Sequence, residues 1–212
     1  MSVELTACSR VSWVATTRIP TRHADFVAHA YHDEYTGEDH VVLVLGDLAD
    51  GATPPLVRLH SECLTGEALG SRRCDCREQL DSAQAAIAAE GRGAVVYLRG
   101  HEGRGIGLAA KVRAYALQDD GLDTYDANLA LGHDPDERDY TVAAQMLHAL
   151  GVTSIALLSN NPDKRKQLRD NGIHITDQIP TGVHVSDSNA RYLATKADRG
   201  GHLLRDIVGW RP

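Results

Sequence analysis

No run of apolar residues in this 212-residue chain approaches the length of a membrane-spanning helix, so that mode of insertion is excluded. The opening Met1-Ser2-Val3-Glu4-Leu5 lacks a basic stretch followed by an apolar one, and no export signal is expected. Positive charge is not in excess. The formal net charge is −7, which argues against general nucleic-acid binding. Nowhere does Gly-Lys-Ser/Thr close a glycine loop, and no G-x-G-x-x-G follows a strand, which removes the Walker and dinucleotide fingerprints. There is no internal repeat, and nothing between residues 58 and 180 reads as a linker. One domain is therefore expected. With four cysteines and no export signal, free thiols in the cytoplasm are the expectation.

What is present is a concentration of those thiols. Arg58-Leu59-His60-Ser61-Glu62-Cys63 is followed, ten residues on, by Cys74-Asp75-Cys76. Isolated free cysteines are usually small buried hydrophobes. Here the surroundings are Arg72, Arg73, Arg77 and Glu78, a charged neighbourhood that favours thiolates. Zinc suits such ligands. Three protein ligands with an open fourth position make a catalytic site, whereas a fourth ligand from His60 or Cys8 would make it structural. Glu62, next to Cys63, is a candidate to handle the protons of water activated there. His60-Ser61-Glu62 also fits the first half of the zinc-deaminase signature, but Cys74-Asp75-Cys76 does not fit its P-C-x-x-C half, which leaves deamination a minor reading. Residues 58–113 carry nine Lys/Arg against seven Asp/Glu, while the rest of the chain is strongly acidic. The thiols thus sit in the relatively basic part of an acidic protein, as a site for a small polyanion requires.

Alternation and apolar runs predict strands at 11–15, 26–31, 41–45, 56–60, 94–98 and 154–158. Leu80, Ala83 and Ile87 share a helical face ended by Gly91. The strand at 94–98 delivers Arg99-Gly100-His101-Glu102-Gly103-Arg104-Gly105-Ile106-Gly107, where glycines let backbone approach a ligand. A helix is expected over 108–118. A charged loop over 134–140 precedes another helix bearing Val142, Met146 and Leu150. Ser159-Asn160-Asn161-Pro162 reads as a helix start with Lys164 nearby. Residues 182–212 read as a polar, partly mobile tail. The fold class expected is α/β (mixed α+β), with ligands at the ends of the strands.

Taken in order, Arg58 to Gly66, Arg73-Cys74-Asp75-Cys76, Glu102-Gly103-Arg104, Arg113-Ala114-Tyr115-Ala116-Leu117-Gln118, Asp136-Glu137-Arg138-Asp139 and Ser159-Asn160-Asn161-Pro162 closely resemble GTP cyclohydrolase II. The resemblance runs from about Val41 to His202. Residues 1–40 match loosely as N-terminal strands, 41–202 would form the catalytic domain and 203–212 a C-terminal tail. The synthase domain of bifunctional members has no counterpart in it. A mixed sheet with flanking helices and a homodimer are implied.

The implied reaction opens GTP at guanine C8 with release of formate and pyrophosphate, as the first step of riboflavin biosynthesis. Carried over residue by residue, the resemblance makes Cys63, Cys74 and Cys76 the zinc ligands. Tyr115 would stand beside the base, and Arg138 with Asp136 would act at the α-phosphorus. GTP contacts map onto Arg58, Leu59, His60, Ser61, Glu62, Gln79, Glu102, Gly103, Arg104, Thr124, Ser159 and Lys164. Ser159 stands where threonine is commoner. Magnesium would accompany the phosphates and help pyrophosphate leave. Two alternatives stay open: a paralogue that retains the formyl group as a formamidopyrimidine, and a non-catalytic zinc- or nucleotide-binding protein.

Overall fold

The computed structural model describes residues 9–49, 53–186 and 188–199. Seven strands form one sheet in the order β1-β2-β3-β5-β4-β6-β7. The first three are β1 (Val11–Pro20), β2 (Asp25–Asp33) and β3 (Asp39–Leu45), antiparallel to one another, and β3 is antiparallel to β5 (Gly93–Leu98). From β5 onward the pairing is parallel, through β4 (Leu56–Ser61), β6 (Ser154–Leu158) and β7 (His174–Ile179). The sheet is therefore mixed.

Between β4 and β5 lie the short α1 (Leu64–Glu67) and α2 (Cys76–Glu90). Between β5 and β6 lie α3 (Gly107–Asp119), α4 (Thr124–Ala130) and α5 (Thr141–Ala149). Helix α6 (Pro162–Asp170) links β6 to β7, and α7 (Ala190–Asp198) follows.

Strands β4 and β5 are buried almost throughout because helices cover both faces, the situation in which strands lose their alternation, whereas the apolar run Val41 to Leu45 of β3 alternates, with Val42 and Val44 buried and Val41, Leu43 and Leu45 half-buried. On one face, Val57, Leu59, Val96 and Leu157 pack against Val142, Met146 and Leu147 of α5 and Leu168 of α6. On the other, Leu56, Val95, Leu158 and Phe26 pack against Ala83 and Ile87 of α2. Helix α2 ends at Gly91, whose φ of 70° gives the left-handed C-cap that residues with a Cβ adopt at a cost.

Three departures from the sequence-based expectation have physical causes. Strand β1 runs to Pro20 rather than stopping near Ala15, because it is held by its ladder with β2 rather than by core burial. Helix α4 occupies what reads as a polar connection. Its start is fixed by Asp123, whose side chain accepts the N–H groups of Tyr125 and Asp126 at 2.8 and 2.9 Å. Part of the expected mobile tail is α7, docked on the body of the protein through Arg199, which reaches Asp123 and Asp126. Residues 203–212 and Cys8 lie outside the described residues. No helix among the described residues is long and apolar enough to cross a membrane.

Candidate active site

The parallel part of the sheet aims the carboxyl ends of β4, β5 and β6 at one place. The chain crosses from β4 to β5 on one side and then back past β4 to β6, the switch of direction at which α/β sheets bind ligands. The segment after β4 brings Ser61 to Cys63, the segment after β5 brings His101 to Arg104, and the segment after β6 brings Ser159 to Lys164. One cavity of about 120 Å3 is lined by all three.

At one end of it the three thiols converge. Sγ atoms of Cys63, Cys74 and Cys76 lie within 4.8 Å of one another, and Cys63 and Cys74 are 3.6 Å apart. Gly66 makes the room: a Cβ there would stand 2.7 Å from Cys74 Sγ and 3.2 Å from Cys63 Sγ. Among the described residues no histidine or carboxylate joins the group. His60 lies outside the group: its Nε2 donates to Glu67 Oε1 at 2.9 Å and its ring stacks on Tyr97. The convergent soft donors and the space beside them fit zinc with an open coordination position.

Lys111, from the first turns of α3, is buried against this group. Its Nζ donates to Thr65 Oγ1 at 2.8 Å, to Cys63 Sγ at 3.2 Å and to Glu102 Oε1. Burial alone would lower its pKa; Cys63, Tyr115 and Glu102 outweigh that and keep it charged. The proton balance among the thiols is uneven. Hydrogen bonds from Cys74 and Cys76 draw Cys63 far down toward thiolate, assisted by Lys111, and the same contacts push Cys74 up to about 11 and Cys76 well above its ordinary value. Tyr115 stands next to them, its hydroxyl 3.3 Å from Thr65 Oγ1 and its ring under the guanidinium of Arg73 at 4.7 Å. Burial raises its pKa, so the phenol keeps its proton.

The glycine loop is built from left-handed backbone. Gly103, Arg104 and Gly105 have φ of 62°, 69° and 96°, and Arg104 is the one non-glycine residue so placed among those described. That conformation costs an L-residue roughly 1–2 kcal/mol. In return it turns Arg104 into the cavity, its guanidinium 3.9 Å over the ring of Tyr125. Gly105 is needed for a second reason. A Cβ there would meet Glu137 Cβ at 3.0 Å and its carbonyl carbon at 3.2 Å, where the 134–140 loop packs and Glu137 N–H donates to Arg104 O at 2.9 Å. Glu102 is 5% exposed, and its Oε2 accepts the N–H of Leu64 at 2.6 Å.

At the other end is Arg138, which donates to Asp136 in a two-pronged pair, Nε to Oδ1 at 2.7 Å and Nη2 to Oδ2. Burial pulls the Arg138 pKa down, but Tyr140 and Asp136 outweigh it, and the guanidinium stays protonated. Arg58 donates to Gln79 Oε1 and to Leu158 O, and Lys164 Nζ donates to Leu59 O at 2.8 Å. Burial and then the nearby Arg58, Arg138 and Lys196 depress Lys164. Among the described residues Arg58, Arg104 and Lys164 have no carboxylate partner, an arrangement that calls for an anion.

Every residue singled out in the sequence lines this cavity except Leu59 and Asp136. Leu59 is in the core, and its carbonyl accepts from Lys164. Asp136 accepts from Arg138, which does line the cavity. Glu62, half-buried and raised in pKa by burial, is tied to Gly100 N–H at 3.0 Å. Ser159 is buried and accepts from Asn161 N–H, and Thr124 opens α4. Sequence reasoning passed over Lys111, His101 and the α7 residues Tyr192 and Lys196, all of which line the cavity. His101, 3.2 Å from Ser61 Oγ and edge-on to Tyr140, is pushed down to about 3 by burial and by Arg138 and Lys164, and is neutral. A histidine in a glycine loop was the one available signal among these.

Residues 12–180 match the family model described as GTP cyclohydrolase II. The chain is 55% identical over 195 residues to riboflavin biosynthesis protein RibBA of Salinispora tropica, covering 92% of this chain and 48% of that protein. It is 54% identical over 200 residues to the protein of the same name from Mycobacteroides abscessus, covering 93% and 48%, and 56% identical over 198 residues to that of Mycobacterium marinum, covering 92% and 46%. The chain thus spans about half the length of the curated relatives it matches. A solved structure of RibBX, a two-domain 3,4-dihydroxy-2-butanone 4-phosphate synthase from A. baumannii, has a TM-score of 0.39 at 21% identity over 73% of this chain and 35% of that one, too weak a likeness to bear on the fold.

Proposed function

The chain belongs to the GTP cyclohydrolase II family, and from that premise we propose that it hydrolyses GTP at guanine C8, releasing formate and pyrophosphate and leaving a 2,5-diaminopyrimidinone with a 5′-phosphoribosylamino group, the first step of riboflavin biosynthesis. One observation carries the reading: a single cavity is lined both by a three-thiol cluster and by an arginine paired to an aspartate, the two chemistries that ring opening and phosphoryl cleavage need.

Cys63, Cys74 and Cys76 would hold one zinc ion, which when bound supplies a Lewis acid and lowers the pKa of water at the ring carbon. Around it the protein's own side chains do the rest. Lys111 sets a fixed positive charge against Cys63 and holds Glu102 in place. Glu102 retains lone pairs beyond those used by Lys111 and Leu64, and these accept the guanine N1–H and 2-amino group. Tyr115, with its proton in place, orients the base and donates to the nitrogen released as the ring opens. Arg58, Arg104 and Lys164 take the phosphates. Arg138, held charged and oriented by Asp136, stabilises the negative charge that develops at the α-phosphoryl group. A guanidinium kept protonated is a poor nucleophile, so electrostatic stabilisation is the role we assign it. Magnesium would arrive with the triphosphate as its counter-ion, and its charge assists the pyrophosphate leaving group. By the same membership the chain is expected to work as a homodimer in the cytoplasm, where its free thiols stay reduced.

The test is incubation of the zinc-loaded protein with GTP and magnesium, with formate and pyrophosphate assayed separately and the nucleotide product weighed by mass spectrometry. Equal amounts of both products are expected. Pyrophosphate with a retained formyl group would replace the reading by formamidopyrimidine formation. Neither product, with zinc and GTP bound, would leave a nucleotide-binding protein.

A further inference from the structure

The family match stops at residue 180, yet α7, which begins at Ala190, lines the same cavity with Tyr192, Leu193 and Lys196. The helix is held there from its C-terminal end. Arg199 donates to Asp123 Oδ2 and Asp126 Oδ1, each at 2.7 Å, and lies 5.0 Å over the ring of Tyr125. Asn189, at the other end, accepts from Ser186 N–H at 2.7 Å and donates to His184 O at 2.8 Å.

Lys196, a side chain 14% exposed, is engaged inside the cavity by Tyr192 and by the ion pair with Asp75. Its Nζ lies 4.3 Å from the centroid of Tyr192 and 3.7 Å from Asp75 Oδ1, beyond hydrogen-bond distance. That oxygen of Asp75 is buried and has no hydrogen-bond partner among the described residues. Lys196 lies at ion-pair distance from Asp75, while Arg58, Arg104 and Lys164 share the cavity without carboxylate partners, which leaves these four cations with one carboxylate between them. Buried charges of one sign persist where an opposite charge is to be bound.

We propose that α7 contributes Lys196 as a further contact to the phosphates of the nucleoside triphosphate, with Tyr192 closing the cavity over the bound substrate. This rests on the GTP reading above.

Calorimetric titration of the full zinc-loaded chain with α,β-methylene-GTP and with guanosine tests the assignment. Lys196→Ala is expected to weaken the triphosphate analogue on the order of tenfold or more and to leave guanosine within about twofold, with Lys196→Arg recovering most of the loss. Hydrogen exchange over residues 190–198 is expected to slow when the analogue binds. Unchanged affinity for the analogue would overturn the proposal. So would equal losses for analogue and guanosine, which would make Lys196 a prop for the helix. A wild-type protein that binds no analogue would remove the GTP reading and this inference together, whereas wild-type binding with an unaffected Lys196→Ala would remove this inference alone.

Discussion

Strands β1 and β4 belong to one sheet and differ in almost everything else. Strand β1 is exposed at every position after Val11, with Trp13 and Val14 more than half open to solvent, while β4 is buried at every position before Ser61. The antiparallel half of the sheet closes on itself through hairpins. The parallel half requires crossovers, so its strands point the same way and their carboxyl ends converge. Chemistry follows that convergence: the thiols, the glycine loop and Lys164 all leave parallel strands. The antiparallel half contributes a brace. Arg10 donates to both carboxylate oxygens of Asp33 and reaches Asp139, the neighbour of Arg138, at 2.6 Å.

The largest effect should come from breaking the convergent half. Cys74→Ser removes one of three soft donors, and zinc measured by atomic absorption is expected to fall well below one per chain with formate release abolished. Arg138→Ala should leave zinc bound and cut pyrophosphate release by about 100- to 1,000-fold, the scale of losing one preorganised charge-stabilising donor. A loss of bound zinc in Arg138→Ala would mean that the two ends of the cavity are not separable.

The bracing half should answer in stability instead. Burial would raise the Asp33 pKa, but Arg10, the N–H of Tyr35 and Thr36 hold it at about 2, below the ordinary 3.8. A carboxyl depressed on folding stabilises the protein above its unfolded pKa and loses that contribution as pH falls toward the folded one. At about 1.36 kcal/mol per pH unit the interval amounts to about 2 kcal/mol, present above pH 4 and lost between about pH 4 and pH 2. Asp33→Asn should flatten that acid limb in urea titrations at pH 6 and pH 3; an unaltered difference between the two would exclude the brace. Smallest of all, Trp13→Ser on the exposed face of β1 should change unfolding free energy by no more than about 0.5 kcal/mol and leave formate release within about twofold.

The same contrast explains what could be read in advance. Cys63 and the Glu102 loop follow strands β4 and β5, and Cys74-Asp75-Cys76 opens α2, each as a short contiguous motif, so position and chemistry were legible together. Lys111 was not, because a lysine on a helix is ordinarily solvated, and only the packing of α3 against α1 and the thiols makes it a buried charge. Helix α7 has Leu193 as its one large aliphatic residue and is secured by Arg199 pairing with residues over seventy positions away, an interaction no local pattern contains. The length of β1 was hidden for a related reason: ladder pairing, unlike burial, does not require apolar side chains.

On the proposed function, one cavity carries ring-opening chemistry at the thiols and phosphoryl chemistry at Arg138. The decisive experiment is a crystal structure of the zinc-loaded protein with α,β-methylene-GTP, with anomalous data at the zinc edge. One metal is expected among Cys63, Cys74 and Cys76, with guanine C8 beside it and the α-phosphate against Arg138. A metal held elsewhere, or a nucleotide whose base and phosphates do not span these two ends, would contradict it.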